Sequence, residues 1–276
     1  MAASIDNLVN VNFIKGDIDL LNFGLMLGGS GQHKPFQFSP AMLFDNGEQG
    51  AWYLIRPELL FQDAAGTVPV TADGDPVALM LDQSGNGNHS IQAVSSARTS
   101  YDVAGELESL EGDGVDDDIV SQDAVPWLTS STANAFFAIA FKANTTSPAY
   151  VVHCDGSDTD QTTQSFSVLS YIFGEHKVNI GGSPFTIPAT LSAVILYCQF
   201  NKSTGEGVIS WNGGAEETIT VGSQSKLIFP MRLFARAGGV NFNGKIYGVV
   251  GAEGPVSFDN RRNVMNYLAG LAGVTL

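Results

Sequence analysis

The chain has few basic residues for its length of 276 residues. Its 13 lysines and arginines stand against 28 acidic residues, which gives a formal net charge of -15. A protein that follows a phosphate backbone needs clustered cations, so this balance argues against nucleic-acid binding. No apolar run approaches the roughly 18 residues of a membrane-spanning helix, so membrane insertion is not expected. The first residues also lack the basic and apolar regions of a signal peptide.

Cysteine is nearly absent, with Cys154 and Cys198 as the only two. Two buried free thiols on strands are the favoured interpretation for a chain without a secretion signal, and a disulfide is the alternative. Neither cysteine has a histidine or cysteine partner at the spacing of zinc ligands, because the adjacent His153 would point to the opposite face of a strand. The 17 Phe, 7 Tyr and 3 Trp supply enough apolar surface for a folded core, which excludes disorder.

The first 45 residues form a segment of their own. It carries apolar pairs and a glycine cluster but neither a helical nor a period-2 pattern, which is typical of an extended arm. Residues 1–45 are therefore interpreted as an assembly or anchoring arm that docks onto a neighbouring subunit. Its apolar contacts are expected from Leu20, Leu21, Phe23, Leu25 and Leu27.

From Trp52 onward, short β-branched and aromatic runs alternate with turn residues, which predicts an all-β sandwich. The clearest strands are expected at 135–141, 149–154, 166–173, 177–180, 193–200, 207–211, 218–221, 231–235 and 244–251. Asn212-Gly213 supplies the positive φ angles of a hairpin. A short C-terminal helix is predicted from Asp259 to Leu271, capped by Ser257 or Asp259.

Three segments carry a likeness to a known family. They are Ala51-Trp52-Tyr53 together with the run Asp82-Gln83-Ser84-Gly85-Asn86-Gly87-Asn88-His89, then Gly112-Asp113-Gly114-Val115-Asp116-Asp117, then Phe242-Asn243-Gly244-Lys245-Ile246-Tyr247-Gly248 with the closing helix. Together they resemble a concanavalin A-like (laminin-G-like) jelly-roll domain of bacteriophage virion proteins. The likeness covers about residues 50–276 and implies an antiparallel β-sandwich at residues 46–276, in a tail fibre, tail tip or capsid accessory protein. It also implies carbohydrate binding, which many relatives show.

Nine of the acidic residues lie between Arg98 and Lys142, where no basic residue occurs. Asp113, Asp116 and Asp117 sit around Gly114 and could furnish the oxygen ligands that calcium prefers. The alternative is a solvated acidic loop whose carboxylates bind turn amides, and the sequence favours this alternative. No other cofactor is expected.

Two further patterns suggest carbohydrate chemistry. Asp155 and Asp158 lie in a polar loop after a strand, and with Trp211 they are candidate ligand-binding residues, although core packing is favoured for the tryptophan. The run Glu106-Leu107-Glu108-Ser109-Leu110-Glu111 is similar to the Glu-x-Asp-x-x-Glu of laminarinase-like enzymes on this fold. Glu106 and Glu108 would share a strand face, but a strand edge with spaced acids is the better interpretation.

The sequence therefore predicts a non-enzymatic virion structural protein without catalytic residues. It would be made in the host cytoplasm, contact other virion proteins, form a homo-oligomer and use its sandwich for assembly or host adhesion. The alternative is a carbohydrate-binding module for a host-surface glycan, and a glycoside hydrolase is the third hypothesis.

Overall fold

The chain folds into a sandwich of two antiparallel sheets, as seen in a computed structural model that describes residues 38–154, 166–172, 174–223, 229–236 and 239–276. The all-β prediction is confirmed. In chain order the strands are β1 (Gly50–Leu54), β2 (Leu60–Phe61), β3 (Leu79–Met80), β4 (Ser90–Ile91), β5 (Ser100–Ala104), β6 (Leu107–Asp113), β7 (Ile119–Ala124), β8 (Asn134–Ala143), β9 (Ala149–Cys154), β10 (Phe166–Ile172), β11 (Glu175–Ile180), β12 (Ser183–Pro188), β13 (Val194–Asn201), β14 (Glu206–Trp211), β15 (Glu217–Thr220), β16 (Pro230–Leu233) and β17 (Asn243–Glu253). The helices are α1 (Pro126–Thr129) and α2 (Phe258–Leu271), with 3-10 turns at Pro40–Phe44, Pro57–Leu59 and Ser95–Ala97.

Among the described residues, the strands divide into two sheets. Sheet A has the order β15-β14-β13-β8-β17-β6-β5, and β1 also pairs with β17. Sheet B has the order β12-β11-β10-β9-β16-β7-β4-β3-β2. One edge of the long strand β17 pairs with two strands in turn. Its first residues pair with β6, and its later residues pair with β1. This arrangement brings the start of β17 beside the acidic end of β6.

The main core lies between the two sheets. In β8 the residues at 135, 137, 139, 141 and 143 face this core, while those at 136, 138 and 140 face the other way. This alternation is the period-2 pattern of a strand, and here both of its faces are buried. Each fully buried large apolar side chain contributes about 1.5–3 kcal/mol, so the aromatic-rich core is the main stabilising feature.

A second core covers the outer face of sheet A. Helix α2 lays Val264, Met265 and Leu268 against this face, and Leu43 of the first 3-10 turn joins the same cluster. Residues 38–45, assigned to the arm from the sequence, therefore pack on the sandwich where they are described. The remaining arm residues, including Leu20, Leu21, Phe23, Leu25 and Leu27, lie outside the described residues.

Local sequence signals agree with the element ends. Asn212 and Gly213 adopt φ angles of 45° and 77° in the connection from β14 to β15, as predicted for the hairpin. The Ser257 side chain accepts a hydrogen bond from the Asn260 amide and so caps α2. Cys154 and Cys198 are buried and are not joined in a disulfide, as favoured from the sequence. Within the described parts of the chain, no helix combines the length and apolarity that crossing a bilayer requires.

The Ser84–His89 run forms a folding turn. The Asp82 carboxylate accepts hydrogen bonds from the amides of Trp52, Ser84 and Asn88, while His89 Nδ1 accepts one from the Asp82 amide at 3.0 Å. These bonds tie the turn to β1. The most specific part of the family likeness is therefore structural.

Candidate functional site

The acidic turn after β6 brings the three predicted metal ligands together. Asp113, Asp116 and Asp117 each place a carboxylate oxygen within 4.8 Å of the other two. The chain reverses at Gly114, whose φ of +79° is accessible to glycine at little cost. A Cβ at this position would also lie 2.8 Å from the Asn243 side chain. The motif thus needs glycine for both conformation and space.

Hydrogen bonds hold this turn in one shape. The Asp113 amide donates to Asp117 Oδ2 at 3.0 Å, and the Val115 amide donates to Asp113 Oδ1 at 2.7 Å. From the strand β17 side, Asn243 Nδ2 donates to the Asp113 carbonyl at 2.7 Å, and Asn241 Nδ2 donates to the Asp117 carbonyl at 3.0 Å. The two asparagines therefore position the acidic residues across the sheet.

An open cavity of about 320 Å³ lies against the turn, and we call it the acidic cleft. Its lining residues are mostly oxygen-bearing: Ser100, Glu111, Gly112, Asp113, Asp117 and Asn243. The sequence did not predict Ser100, Glu111 or Asn243 as part of the site. They join it through strand register, because Ser100 lies opposite Glu111, and Asn243 lies opposite Asp113.

Asp117 is the electrostatically strained member of the turn. Its exposed fraction is only 7%. Burial raises the pKa of Asp117 to about 6, the Asp113 amide opposes that rise, and the nearby Asp113 and Asp116 carboxylates add to it. No basic side chain forms an ion pair with any of the three aspartates within the described residues. A divalent cation would supply the missing countercharge, and calcium accepts this set of oxygen ligands.

The carboxylates of the laminarinase-like run do not share a site. Glu106 is exposed in the turn between β5 and β6, which separates it from Glu108. Glu108 forms an ion pair with Arg56 and accepts a hydrogen bond from the Tyr101 hydroxyl. Glu111 accepts a hydrogen bond from Asn144 and borders the acidic cleft. This run therefore does not form the catalytic carboxylate pair that its similarity to laminarinase-like enzymes suggests.

The other predicted ligand residues are placed elsewhere or not described. Trp211 is half-buried, with its ring centroid 5.8 Å from that of Phe185 at the margin of the main core. This packing agrees with the favoured structural interpretation of the tryptophan. Asp155 and Asp158 lie outside the described residues. Of these three candidates, the described residues therefore include only Trp211.

A second open cavity, of about 420 Å³, lies against strands β8, β13, β14 and β15 of sheet A. Amide, hydroxyl and carboxylate side chains line it: Asn134, Gln199, Asn201, Thr204, Glu206 and Thr218. This cleft could not be predicted from the sequence, because its residues come from four strands and a turn. The cluster of metal-capable carboxylates beside the acidic cleft makes that cleft the stronger candidate.

The fold and the cleft define a β-sandwich with an oxygen-rich surface site. No protein-family model matches the sequence, and no curated protein matches it. In structure, the chain is similar to an arabinofuranosidase solved with arabinofuranosyl-α-1,2-xylobiose, with a TM-score of 0.61 and 13% identity. That match covers 85% of this chain and 65% of the enzyme, so the chain spans just under two thirds of the enzyme's length.

Two further solved structures share the fold. Domain 4 of AbnA, a GH43 extracellular arabinanase from Geobacillus stearothermophilus in complex with arabinotriose, has a TM-score of 0.50 and 12% identity, over 82% of this chain and 98% of that domain. Trypanosoma rangeli sialidase has a TM-score of 0.52 and 8% identity, over 83% of this chain and 34% of the sialidase. At these identities the similarity concerns the fold.

The prediction that the protein is not an enzyme is wrong. It rested on the sandwich fold and on the lack of a known catalytic motif, but the same fold carries glycoside hydrolases at 85% coverage of this chain. A fold hosts catalysis or binding according to the side chains placed on it, so the sandwich is no argument against catalysis. The phage-virion setting, the virion partners and the homo-oligomer are not tested and stay predictions.

Proposed function

We propose that the protein recognises carbohydrate and that the acidic cleft is its glycan site, with calcium held by Asp113, Asp116 and Asp117. One observation carries the proposal: three carboxylates converge within 4.8 Å at an open cleft lined by further oxygen-bearing side chains. Sugar hydroxyls both donate and accept hydrogen bonds, so such a lining suits them better than it suits an apolar ligand.

Calcium would join the cleft to the sugar. The ion takes 6–8 oxygen ligands, so three aspartates leave coordination positions that water or sugar hydroxyls can fill. The hydrogen bonds from Asn241 and Asn243 hold the turn before any ligand arrives, which lowers the entropy lost on binding. The fold supports the same class of function, since the arabinanase domain of this fold was solved with arabinotriose.

A glycan array probed in calcium and again in a chelator tests the proposal. We expect binding to a restricted set of glycans in calcium and loss of that binding in the chelator. Asp116→Asn, which removes an exposed ligand without disturbing a buried group, should weaken binding about tenfold or more. Asp123→Asn is the matched control, because Asp123 is another exposed acidic residue between Arg98 and Lys142 but does not line the cleft. Equal binding by both variants would contradict the assignment.

Glycoside hydrolysis is the second candidate, and the same carboxylates favour it. Retaining glycosidases hold two carboxyl groups about 5–5.5 Å apart, and here carboxylate oxygens lie within 4.8 Å in an open cleft. The arabinofuranosidases of this fold make arabinofuranosides the first substrates to try. Release of 4-nitrophenol from 4-nitrophenyl arabinofuranoside by the parent chain, lost in Asp113→Asn and kept in Asp123→Asn, would support hydrolysis. Absence of release in the parent chain would leave binding alone.

Attachment to a virion through the arm at residues 1–45 is a separate proposal. It predicts that a chain lacking residues 1–45 no longer joins the particle. Incorporation of the truncated chain at the full level would contradict it.

A further inference from the structure

The open cavity of about 420 Å³ lies on the outer face of sheet A, at the margin of the second core. In β13, Ile195 and Tyr197 face the second core, and the alternation of a strand carries Gln199 and Asn201 onto the same face. Gln199 Oε1 accepts a hydrogen bond from the Val256 amide at 2.6 Å, just before helix α2 begins. The cavity therefore continues this face of the sheet beyond the helix, and we call it the amide cleft.

Strand pairing arranges six side chains of the amide cleft in two rows. Residues directly opposite each other share a face, with their Cβ atoms about 4.5–5.5 Å apart. The first row crosses three strands and consists of Asn134 of β8, Asn201 of β13 and Glu206 of β14. The second row lies about 7 Å further along β13 and consists of Gln199 of β13, Val208 of β14 and Thr218 of β15. All six line the cavity.

Two carboxamides of the amide cleft have their oxygen atoms fixed by backbone amides. Asn201 Oδ1 accepts hydrogen bonds from the Ser203 and Thr204 amides at 2.9 and 3.1 Å, and Gln199 Oε1 is held by Val256 as described above. The remaining amide nitrogens, Nδ2 of Asn201 and Nε2 of Gln199, donate no hydrogen bond to a described residue. The cleft thus presents two oriented NH2 groups to an incoming ligand.

Acceptor groups face the same space from the neighbouring strands. Glu206 and Thr218 are exposed, and the Glu206 carboxylate forms no ion pair with a described residue. Neither side chain makes a hydrogen bond within the described part of the chain. Val208 lies between them half-buried and adds an apolar surface. Donors, acceptors and an apolar surface are therefore all open to solvent in one cavity.

The charge of the amide cleft excludes an anionic ligand. None of the described residues that line it is basic, and Glu206 contributes a negative charge. The nearby Lys202 does not alter this, because it is only 1% exposed and donates to the Thr129 carbonyl at 3.1 Å. Oriented NH2 donors are equally unsuited to a metal cation or to a wholly apolar ligand. A neutral ligand that carries several hydroxyl groups satisfies both the donors and the acceptors.

We infer that the amide cleft binds a neutral oligosaccharide without calcium. Gln199 and Asn201 donate hydrogen bonds to sugar oxygens, and Glu206 and Thr218 accept hydrogen bonds from sugar hydroxyls. The bond to Glu206 is the strongest of these, because a carboxylate is a charged acceptor. A volume of about 420 Å³ is within the usual range for a ligand site. The inference rests on the proposed carbohydrate binding but assigns a second site and a neutral sugar class.

The amide cleft is separate from the acidic cleft. Strand β8 begins at Asn134, which lines the amide cleft, and ends at Ala143, which pairs with Gly244 beside the acidic cleft. The ten residues of β8 span about 30 Å, since a strand rises about 3.3 Å per residue. The two clefts therefore lie towards opposite ends of this strand and can be occupied independently.

An array of neutral oligosaccharides, probed with the full chain in calcium and in a chelator, tests the inference. We expect a set of glycans whose binding is unchanged by the chelator, in addition to the set that needs calcium. Thr218→Val should weaken the calcium-independent binding about threefold to tenfold, because it removes one hydrogen-bonding hydroxyl and keeps the side-chain shape. Thr220→Val is the matched control, since Thr220 is an exposed threonine of the same strand that does not line the cleft.

Gln199→Glu is the second test. It keeps an acceptor for the Val256 amide but removes the NH2 donor, so it should weaken calcium-independent binding about tenfold or more while the fold is retained. Gln122→Glu introduces the same charge at an exposed position of β7 that does not line the amide cleft, and it should bind as the parent does. No glycan bound in the chelator, or equal binding by Thr218→Val, Gln199→Glu and the parent, would overturn the inference.

The same array in Asp116→Asn separates the two proposed sites. This variant should lose the calcium-dependent set and keep the calcium-independent set, whereas Thr218→Val should do the reverse. Loss of the calcium-independent set in Asp116→Asn would assign that binding to the acidic cleft and overturn the inference. Failure of the acidic cleft alone would leave the calcium-independent set, with its sensitivity to Thr218→Val, in place.

Discussion

At the scale of single residues, the protein keeps a carboxylate where water is largely excluded. Asp117 is 7% exposed, lies beside two other aspartates and has no basic partner among the described residues. The hydrogen bond that the Asp117 carboxylate accepts from the Asp113 amide offsets only part of the burial cost, because the pKa of Asp117 is still raised to about 6. A site of this kind costs stability in the metal-free protein, and a bound cation would recover that cost.

Asp117→Asn tests this account of the turn. At pH 7 we expect the metal-free variant to be more stable than the parent by about 1–3 kcal/mol, because a buried charge is removed. Calcium should raise the melting temperature of the parent but not of the variant. Thermal unfolding with and without calcium measures both effects, with Asp123→Asn as the exposed control. A full calcium effect in the variant would contradict the proposed ligand set.

The buried His176 predicts a loss of stability in acid. Burial lowers the pKa of His176 to about 4, and its Nε2 accepts a hydrogen bond from the Thr190 amide. The unfolded chain, with a pKa near 6.5, takes up the proton first. The free energy of unfolding should therefore fall as the pH drops from about 6.5 towards 4, by at most about 3 kcal/mol for this residue.

Urea unfolding at pH 7, 5.5 and 4.5 measures this loss. His176→Gln removes the titration and retains an acceptor for the Thr190 amide, so its stability should depend less on pH. Asp117 contributes in the opposite direction, because its raised pKa favours the folded state as the pH falls from about 6 to 3.8. That contribution is present in both proteins and cancels in the comparison. Parallel pH profiles would show that His176 does not titrate as proposed.

At the scale of elements, close packing of strand β17 against α1 determines where glycine is required. A Cβ on Gly251 would lie 2.4 Å from the Trp127 ring, which packs directly over the strand. Gly270 in helix α2 is different, because a Cβ there would meet no atom within 4 Å. The same substitution at these two positions should therefore change stability in opposite directions.

Gly251→Ala should destabilise the protein by about 1–3 kcal/mol through overpacking against Trp127. Gly270→Ala should stabilise it by up to about 1 kcal/mol, since alanine has the higher helix propensity. Chemical denaturation of both variants against the parent gives the two signs. A stable Gly251→Ala would mean that α1 moves freely away from the strand.

The position of a residue in a local turn or on a paired strand also determines whether the sequence could predict it as part of the site. Asp113, Asp116 and Asp117 lie within five residues around Gly114, so their convergence follows from one local turn. Asn243 reaches the same turn only through the pairing of β17 with β6 across 130 residues of chain. The faces of β9 were harder to predict, since an extra residue in this strand breaks the period-2 pattern that assigns faces.

At the scale of the whole molecule, the strands from β8 to β17 other than β12 were predicted, because they carry short apolar runs bounded by turn residues. The two-residue strands β2, β3 and β4 were not, since pairs such as Leu60 with Met80 depend on tertiary packing rather than on local pattern. The arm boundary shows the same limit. Residues 40–44 carry no strong periodicity, yet Leu43 is 7% exposed in the core under helix α2.

Two truncations test this boundary. Phe38–Leu276 forms one compact unit, so a chain without residues 1–37 should fold and unfold cooperatively. Removal of residues 1–45 also deletes Leu43 and Phe44, and we expect it to cost about 2–4 kcal/mol relative to the shorter truncation. Calorimetric unfolding of the two chains compares them directly. Equal stability would show that the 3-10 turn contributes nothing to the second core.

The central claim is that calcium and the acidic cleft together bind carbohydrate. Titration of the full chain with arabinotriose, in calcium and then in a chelator, tests this claim most directly. Arabinotriose is chosen because an arabinanase domain of the same fold was solved in complex with it. The account predicts binding in calcium that weakens about tenfold or more in the chelator and in Asp116→Asn. Equal binding in both solutions, or no binding of arabinotriose or of any arrayed glycan, would contradict it.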